Sequence, residues 1–439
     1  MPVDQAARHA RTRNRRPRHL REVALTLTAV LAFGGSAAAF TVARWHGNVT
    51  SVGSIDDLVV PASAPGSSAS PTPVTADDAL AGRAVTILLL GSDDRSGENG
   101  EIGGTVDGMR ADTTMIVHVS ADRTRVEVAS IPRDSKASIP ACHLDWDPEG
   151  RMSRPQTAKF NAAFATGAGG GDVGLGAACA ISTVQTMTGL TVDAFALVDF
   201  AGFQGMVDAI GGVRVCVPEP LKDGRYTALN LSAGWHDLQG AEALDYVRAR
   251  HVQGTDGTDP SRIERQQRFV GAVVRKVTSS DVLTSPLALG GFLDAATSAL
   301  TVSEELSSPA TLLGLIWSVR DLRPADVTFV TVPWAYGANG YVTWTSDADL
   351  LWQRLAADEP VNGTPPPPAD PVADPTAGAG QTTPPATGTA PPATGTTPPA
   401  TGTPDAGTPA TGTEGAPVTP PEPDFVVQTG EDPDEVLCG

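Results

Sequence analysis

The sequence predicts an α/β domain set between an N-terminal transmembrane helix and a disordered C-terminal tail. Three observations carry that expectation. Val85–Leu90 (VTILLL) is a continuous apolar run and reads as a strand buried on both faces. Met115–Val119 and Arg125–Ile131 flank the turn Asp122-Arg123-Thr124, the pattern of a hairpin. Downstream, helical segments at Asp172–Thr188, Asp199–Ile210, Leu238–Leu244, Arg262–Thr278, Pro286–Ala299, Pro309–Val319 and Ala348–Ala357 are interspersed with apolar strands at Ala194–Val198, Arg214–Val217 and Val327–Val332.

Nothing between Arg83 and Asp358 breaks strongly enough to divide that stretch, so the 439 residues resolve into one large domain, 83–358, with extensions. Residues 1–22 form a basic tail holding Arg8, Arg11, Arg13, Arg15, Arg16, Arg18 and Arg21. The uncharged run 23–43 is long enough to cross about 30 Å of hydrocarbon as a helix. Small residues at Ser36–Ala39 resemble a signal-peptidase site, but the apolar run continues past them to Val42, which favours an uncleaved anchor. The flanking arginines stay in the cytoplasm, which places the domain outside, at the face of the cytoplasmic membrane. Residues 44–82, rich in Pro, Ser and Ala, read as a stalk. Residues 359–439 repeat PPATGT from Pro384, Pro391 and Pro398 and hold almost nothing to bury, so they read as a disordered tail. A net charge of −19 excludes general nucleic-acid binding, which wants a basic domain. Four cysteines without a CxxC or a His/Cys metal spacing fit an oxidising exterior and exclude zinc; they allow two disulfides in three connectivities.

Against that acidic background, Asp245–Gln267 is a basic island. Alternation over Tyr246–His251 predicts a strand with Arg248 and Arg250 on one side. Arg262, Arg265 and Gln266 fall at i, i+3 and i+4 of a helix starting near Ser261. Guanidinium forks and a helix start suit phosphate oxygens. The plainer alternative is surface arginines paired with Asp256, Asp259 and Glu264. A second constellation lies at strand ends: Asp93 in GSDDR, Arg110 and Asp112 in RAD, Arg133 and Asp134 in PRD. Carboxylates without His or Cys suit a hard cation such as Mg²⁺ sharing its shell with substrate phosphates; Asp–Arg ion pairs and turn caps are the alternative. The Gly-rich insertion Ser96–Gly108 reads as a mobile loop beside this site. Phe269, Val270, Val273, Val274 and Val277 give the 262–278 helix an apolar side that is either core or a slot for a lipid tail.

Taken together, ILLLGSDDR, RADTTMIV, SIPRD, KFNAAF, VDFAGFQGMVDAIGGV, GAEALDYVRARH and DPSRIERQQRF occur in the order of the LytR-CpsA-Psr family, which the chain closely resembles over 84–280 and more loosely to 358. The resemblance implies a mixed central β-sheet flanked by helices, with a hydrophobic tunnel for a polyprenyl tail. It implies a membrane-anchored phosphotransferase moving a glycopolymer from a polyprenyl-pyrophosphate carrier to peptidoglycan through a phosphodiester. Asp93 (or its neighbour Asp94) and Asp112 would sit at the Mg²⁺–pyrophosphate. Arg133, Arg248, Arg250 and Arg262 would act on the transferred phosphate, and Arg110, Lys159, Asp259, Arg265 and Gln266 would hold substrate. A polyprenyl-pyrophosphate hydrolase and a non-catalytic wall-binding or regulatory protein are the competing functions. The expected disulfide is Cys142–Cys179, between the segment after PRD and the helix after KFN; Cys216 would pair with Cys438 or stay a buried thiol. A lysine-poor, Gly/Ala/Pro-rich composition points to a high-GC actinobacterial source, for which arabinogalactan is a candidate polymer.

Overall fold

A computed structural model describes residues 44–45, 47–61, 80, 82–92, 109–169, 171–224, 227–250, 252, 259–279, 285–363, 427–429 and 438. All of them belong to one unit, Met1–Thr364 with Pro423–Gly439; the second unit, Pro365–Glu422, lies outside the described residues. So do the basic tail, the membrane segment, Asp93, Asp94 and the Gly-rich insertion. No helix among the described residues is long and apolar enough to cross a membrane.

The predicted buried strand is the centre of the fold. Val85–Ser92 (β2) lies in an eight-stranded mixed sheet with β1 (Thr50–Ser51), β3 (Ala111–Val119), β4 (Val126–Ser130), β5 (Ala194–Val198), β6 (Leu300–Val302), β7 (Val327–Thr331) and β8 (Val427–Thr429). The order is β1-β6-β5-β2-β3-β4-β7-β8. The β2-β3-β4 meander is antiparallel, whereas β5 joins β2 and β7 joins β4 in parallel. Alternation along β2 sends Leu88 and Leu90 to one face and Leu89 to the other. The first face meets α1 (Asn161–Ala168) and α2 (Val173–Thr188), through Phe164, Leu175 and Ile181, and the C-terminal helix 346–356 through Leu351 and Trp352. The α1–α2 contact needs small residues: a Cβ on Gly176 would stand 2.9 Å from the Phe164 ring. Asp172 caps α2 by accepting from Leu175 N at 3.0 Å, and Gly189 ends it at φ 72°. The second face receives α3 (Phe200–Ala209), α4 (Gly240–Arg248) and α5 (Asp259–Thr278), the last packing Val270 and Val274 against Met115 and Phe329.

The structure corrects three expectations. The strand expected from Tyr246 does not form over Tyr246–Arg250: α4 runs to Arg248, because Ala243, Leu244 and Tyr246 bury one helical side, a pattern that so short a segment shares with strand alternation. The supposed stalk contributes β1 and buries Ile55 and Leu58, two apolar residues that its overall composition conceals. The supposed tail rejoins the domain. Val361 is buried, Val427–Thr429 pairs antiparallel with β7, and Cys438 is disulfide-bonded to Cys216 with Cα atoms 6.0 Å apart. The expected Cys142–Cys179 bridge is present, buried at both ends, with Cα atoms 5.2 Å apart.

Candidate functional site

A cavity of about 820 Å³ opens on the second face of the sheet, between the ends of β2 and β3 and helices α3, α4 and α5. Its depth is apolar, walled by Leu89, Met115, Phe203, Phe269, Val270, Val273, Phe292 and Leu300. Its mouth is cationic. Arg110, Arg133, Arg248, Arg250 and Arg262 line it, against Asp112 and Asp199, and Asp199 is committed to capping α3 through Gly202 N at 2.7 Å. The apolar side of the 262–278 helix is therefore both core and cavity wall.

Asp112 organises the mouth. Its Oδ1 accepts from Arg133 Nη1 at 2.9 Å and Asn161 Nδ2 at 3.3 Å, and its Oδ2 from Arg250 Nη2 at 3.2 Å. Arg262 Nη2 donates to the Asp112 carbonyl at 2.7 Å. Burial alone would raise this carboxyl's pKa; the charges of Arg133 and Arg262, with the Arg133 and Asn161 hydrogen bonds, outweigh it and hold the group below its ordinary value. Arg248 takes another course: its guanidinium lies over the Phe200 ring, 4.1 Å from the centroid, at the end of α4 where a cation also meets the negative end of the helix dipole. Gln266 spans α4 and β3, donating to Val247 O at 3.2 Å and Thr113 Oγ1 at 3.0 Å.

Two expected residues stand elsewhere, and the side chain of a third is not described. Arg265 does not line the cavity: it is buried and donates to Ala249 O, bracing the turn between Arg248 and Arg250, and burial lowers its pKa. Lys159 is tied to Asp134 at 2.7 Å, one residue beyond Arg133. Asp259 opens α5, and its side chain lies outside the described residues. Conversely, the sequence did not single out Asn161 and Phe200 individually, although both sit inside quoted motifs, KFN and VDF. Their roles arise only where the fold places them against Asp112 and Arg248.

Among the described residues, no three His, Cys, Asp or Glu side chains gather as a metal cluster. The donor chemistry at the mouth nonetheless fits Mg²⁺, since Asp112 is an ionised oxygen donor amid groups that would hold phosphates, and the cation would draw further ligands from those phosphates.

A model of the LytR_cpsA_psr family matches residues 63–357. The cell wall biosynthesis protein LcpA of Corynebacterium glutamicum is 33% identical over 283 residues, 58% of this chain and 51% of that protein. The polyisoprenyl-teichoic acid–peptidoglycan teichoic acid transferase TagT of Bacillus subtilis is 29% identical over 248 residues, 55% of this chain and 67% of that protein. The chain spans about half the length of the first of these relatives. Among solved structures, protein gbs0355 of Streptococcus agalactiae superposes with a TM-score of 0.50 at 22% identity, covering 63% of this chain and 88% of that one, a likeness of fold.

Proposed function

The chain belongs to the LytR_cpsA_psr family, and from that premise we propose that it is a membrane-anchored, extracytoplasmic phosphotransferase that moves a glycopolymer from a polyprenyl-pyrophosphate carrier to peptidoglycan. The observation that carries the proposal is the cavity's polarity: five arginines at the mouth and an apolar depth match a ligand with a pyrophosphate head and a hydrocarbon tail. The naming of TagT as a teichoic acid transferase to peptidoglycan supports the same class of reaction.

In that reaction an acceptor hydroxyl oxygen bonds to the glycan-side phosphorus. The bond from that phosphorus to the bridging oxygen breaks, the polyprenyl monophosphate leaves, and the hydroxyl proton is released. Charge moves onto the leaving phosphate, so catalysis rests on positioning and charge stabilisation. Arg133, Arg250 and Arg262 are held at fixed spacing by Asp112 and so meet that charge without reorganising. Arg248, stacked on Phe200, presents its fork from the end of α4. A carboxylate held below its ordinary pKa is a poor proton acceptor, which makes Asp112 a positioner of arginines rather than the base. Mg²⁺ would be held by Asp112 and, as the family resemblance implies, by Asp93 or its neighbour Asp94, and would supply neutralisation of the pyrophosphate and polarisation of its phosphorus.

The test supplies full-length protein in detergent with Mg²⁺, a synthetic polyprenyl-pyrophosphate oligosaccharide and purified peptidoglycan. Glycan covalently bound to the peptidoglycan, with polyprenyl monophosphate released, is the expected result. Free glycan phosphate released equally without peptidoglycan would make the protein a hydrolase, and no turnover with intact binding would make it a non-catalytic wall protein.

A further inference from the structure

Two oppositely charged side chains are buried behind the arginine mouth. Asp223 is 2% exposed and Arg265 6% exposed, and neither lines the cavity. Asp223 follows the short strand Leu221–Lys222, which pairs antiparallel with Asn230–Leu231, and its backbone N donates to Leu229 O at 3.1 Å. Leu229 and Leu231 bury this hairpin in the cluster that holds Tyr246, Ala249 and Phe269. Arg265 comes from the other side, on α5. Taking two charges out of water is unfavourable unless hydrogen bonds and mutual attraction offset it, so what the two side chains hold matters.

Both hold the same peptide group. Asp223 Oδ2 accepts from Arg250 N at 3.2 Å, and Arg265 Nη2 donates to Ala249 O. Those atoms are the two ends of the peptide unit joining Ala249 to Arg250. In a planar trans peptide the N–H and C=O point in opposite directions, so the anion meets the N–H end and the cation the C=O end. The unit cannot turn without breaking two charge-assisted hydrogen bonds at once. The Asp223 charge also favours the Arg265 cation against its burial. Flanking contacts fix the chain on each side: Gln266 donates to Val247 O at 3.2 Å, and Asp223 and Val252 form a β-bridge. The orientation of this peptide sets φ of Arg250, and with it the direction in which the Arg250 side chain leaves toward Asp112 Oδ2, 3.2 Å away.

We propose that Asp223 is a positioning residue of the arginine mouth: with Arg265 it clamps the Ala249–Arg250 peptide and so places Arg250 for a pyrophosphate. The reaction it serves rests on the phosphotransferase proposal; the clamp does not.

The experiment uses full-length protein in detergent with Asp223→Ala, Asp223→Asn, Arg250→Ala and the double variant Asp223→Ala/Arg250→Ala. A further variant, Asp223→Ala/Arg265→Met, removes both buried charges together, so neither is stranded and a folded clamp-free protein is available if Asp223→Ala alone fails to fold. One arm titrates inorganic pyrophosphate with Mg²⁺ by calorimetry; the other measures kcat for transfer and the acceptor KM. Asp223→Ala is expected to weaken pyrophosphate binding and lower kcat about tenfold each, the scale of one lost hydrogen bond to a charged group, with the acceptor KM unchanged. Asp223→Asn keeps an oxygen that accepts from Arg250 N and returns both close to wild type. In the Arg250→Ala background the substitution of Asp223 has no further effect on pyrophosphate affinity, because Asp223 acts through Arg250; a merely structural role would add its loss there. Wild-type pyrophosphate affinity in folded Asp223→Ala, or in the charge-free pair, overturns the proposal. So does an undiminished loss in the Arg250→Ala background, an Asp223→Asn protein no better than Asp223→Ala, or a wild type that binds no pyrophosphate. If the pyrophosphate affinities follow the expected pattern while the wild type transfers nothing, the transferase proposal falls and the clamp stands.

Discussion

Asp112 accepts hydrogen bonds from two arginines and an asparagine in a site that otherwise collects positive charge. It holds mutually repelling guanidiniums at fixed spacing, the arrangement that the proposed reaction uses. Asp112→Asn is expected to lower transfer about 10²-fold by releasing Arg133 and Arg250, a loss typical of a preorganised charge stabiliser. The same substitution has a pH signature. The folded pKa is depressed, so the wild-type advantage in stability is complete above the ordinary carboxylate value of about 4 and is lost as pH falls through the folded pKa. Urea denaturation of wild type and Asp112→Asn from neutral pH downward checks this: the gap must close on acidification, and a gap that widens contradicts it. Arg248→Lys should cut transfer about tenfold or more, because an ammonium reproduces neither the planar fork nor its stacking on Phe200. Asp112 and Arg133 were read at strand ends, Arg250 on a strand where the chain is in fact leaving α4, and Arg262 from helical spacing; all four line the cavity. Arg265 was misjudged on the same logic. Helical spacing places it near Arg262 and Gln266, but spacing does not reveal that its guanidinium turns to the Ala249 carbonyl.

At the scale of elements, β2, the β3–β4 hairpin, α2, α3, α5 and the helix Ser346–Ala356 follow from apolar pattern and capping residues. Asp172 and Asp199 cap α2 and α3 as such residues do before an apolar run. The short elements were not legible: β1, β6 and β8 span two or three residues each and exist through pairing partners distant in sequence. The α4 error has the same root, since nine residues carry too few periods to separate helix from strand. The Cys142–Cys179 bridge joins the segment after β4 to the middle of α2, 37 positions on, and both sulfurs are buried in the larger core. Cys142→Ala with Cys179→Ala is expected to cost about 3–4 kcal/mol in the chain-entropy account. Denaturant midpoints under oxidising conditions measure it, and a double variant as stable as wild type contradicts the assignment of this bridge as a major constraint.

Over the whole molecule, composition misled at both ends of the domain. A segment dominated by Pro, Thr, Gly and Ala hides the three residues that pair with β7, while the Cys216–Cys438 bridge is one of the two outcomes expected for Cys216. Those contacts make the C-terminus part of the fold, and they cover the edge of β7, which packs against α5, the helix carrying Arg262. A chain ending at Gly363 is therefore expected to melt several degrees below the full chain, by the scale of a lost disulfide and a lost edge strand. Calorimetry showing equal melting would return the C-terminus to a dispensable tail. The central claim, that the arginine mouth holds a pyrophosphate whose charge shifts during transfer, is tested most directly at Arg262, which joins α5 to the Asp112 carbonyl. Arg262→Ala and the remote control Arg320→Ala are compared in full-length protein for glycan transferred to peptidoglycan per folded molecule, the folded fraction being fixed by circular dichroism. The account predicts a loss of about 10²–10³-fold for Arg262→Ala and wild-type transfer for Arg320→Ala; folded Arg262→Ala protein that transfers glycan at the wild-type rate contradicts it.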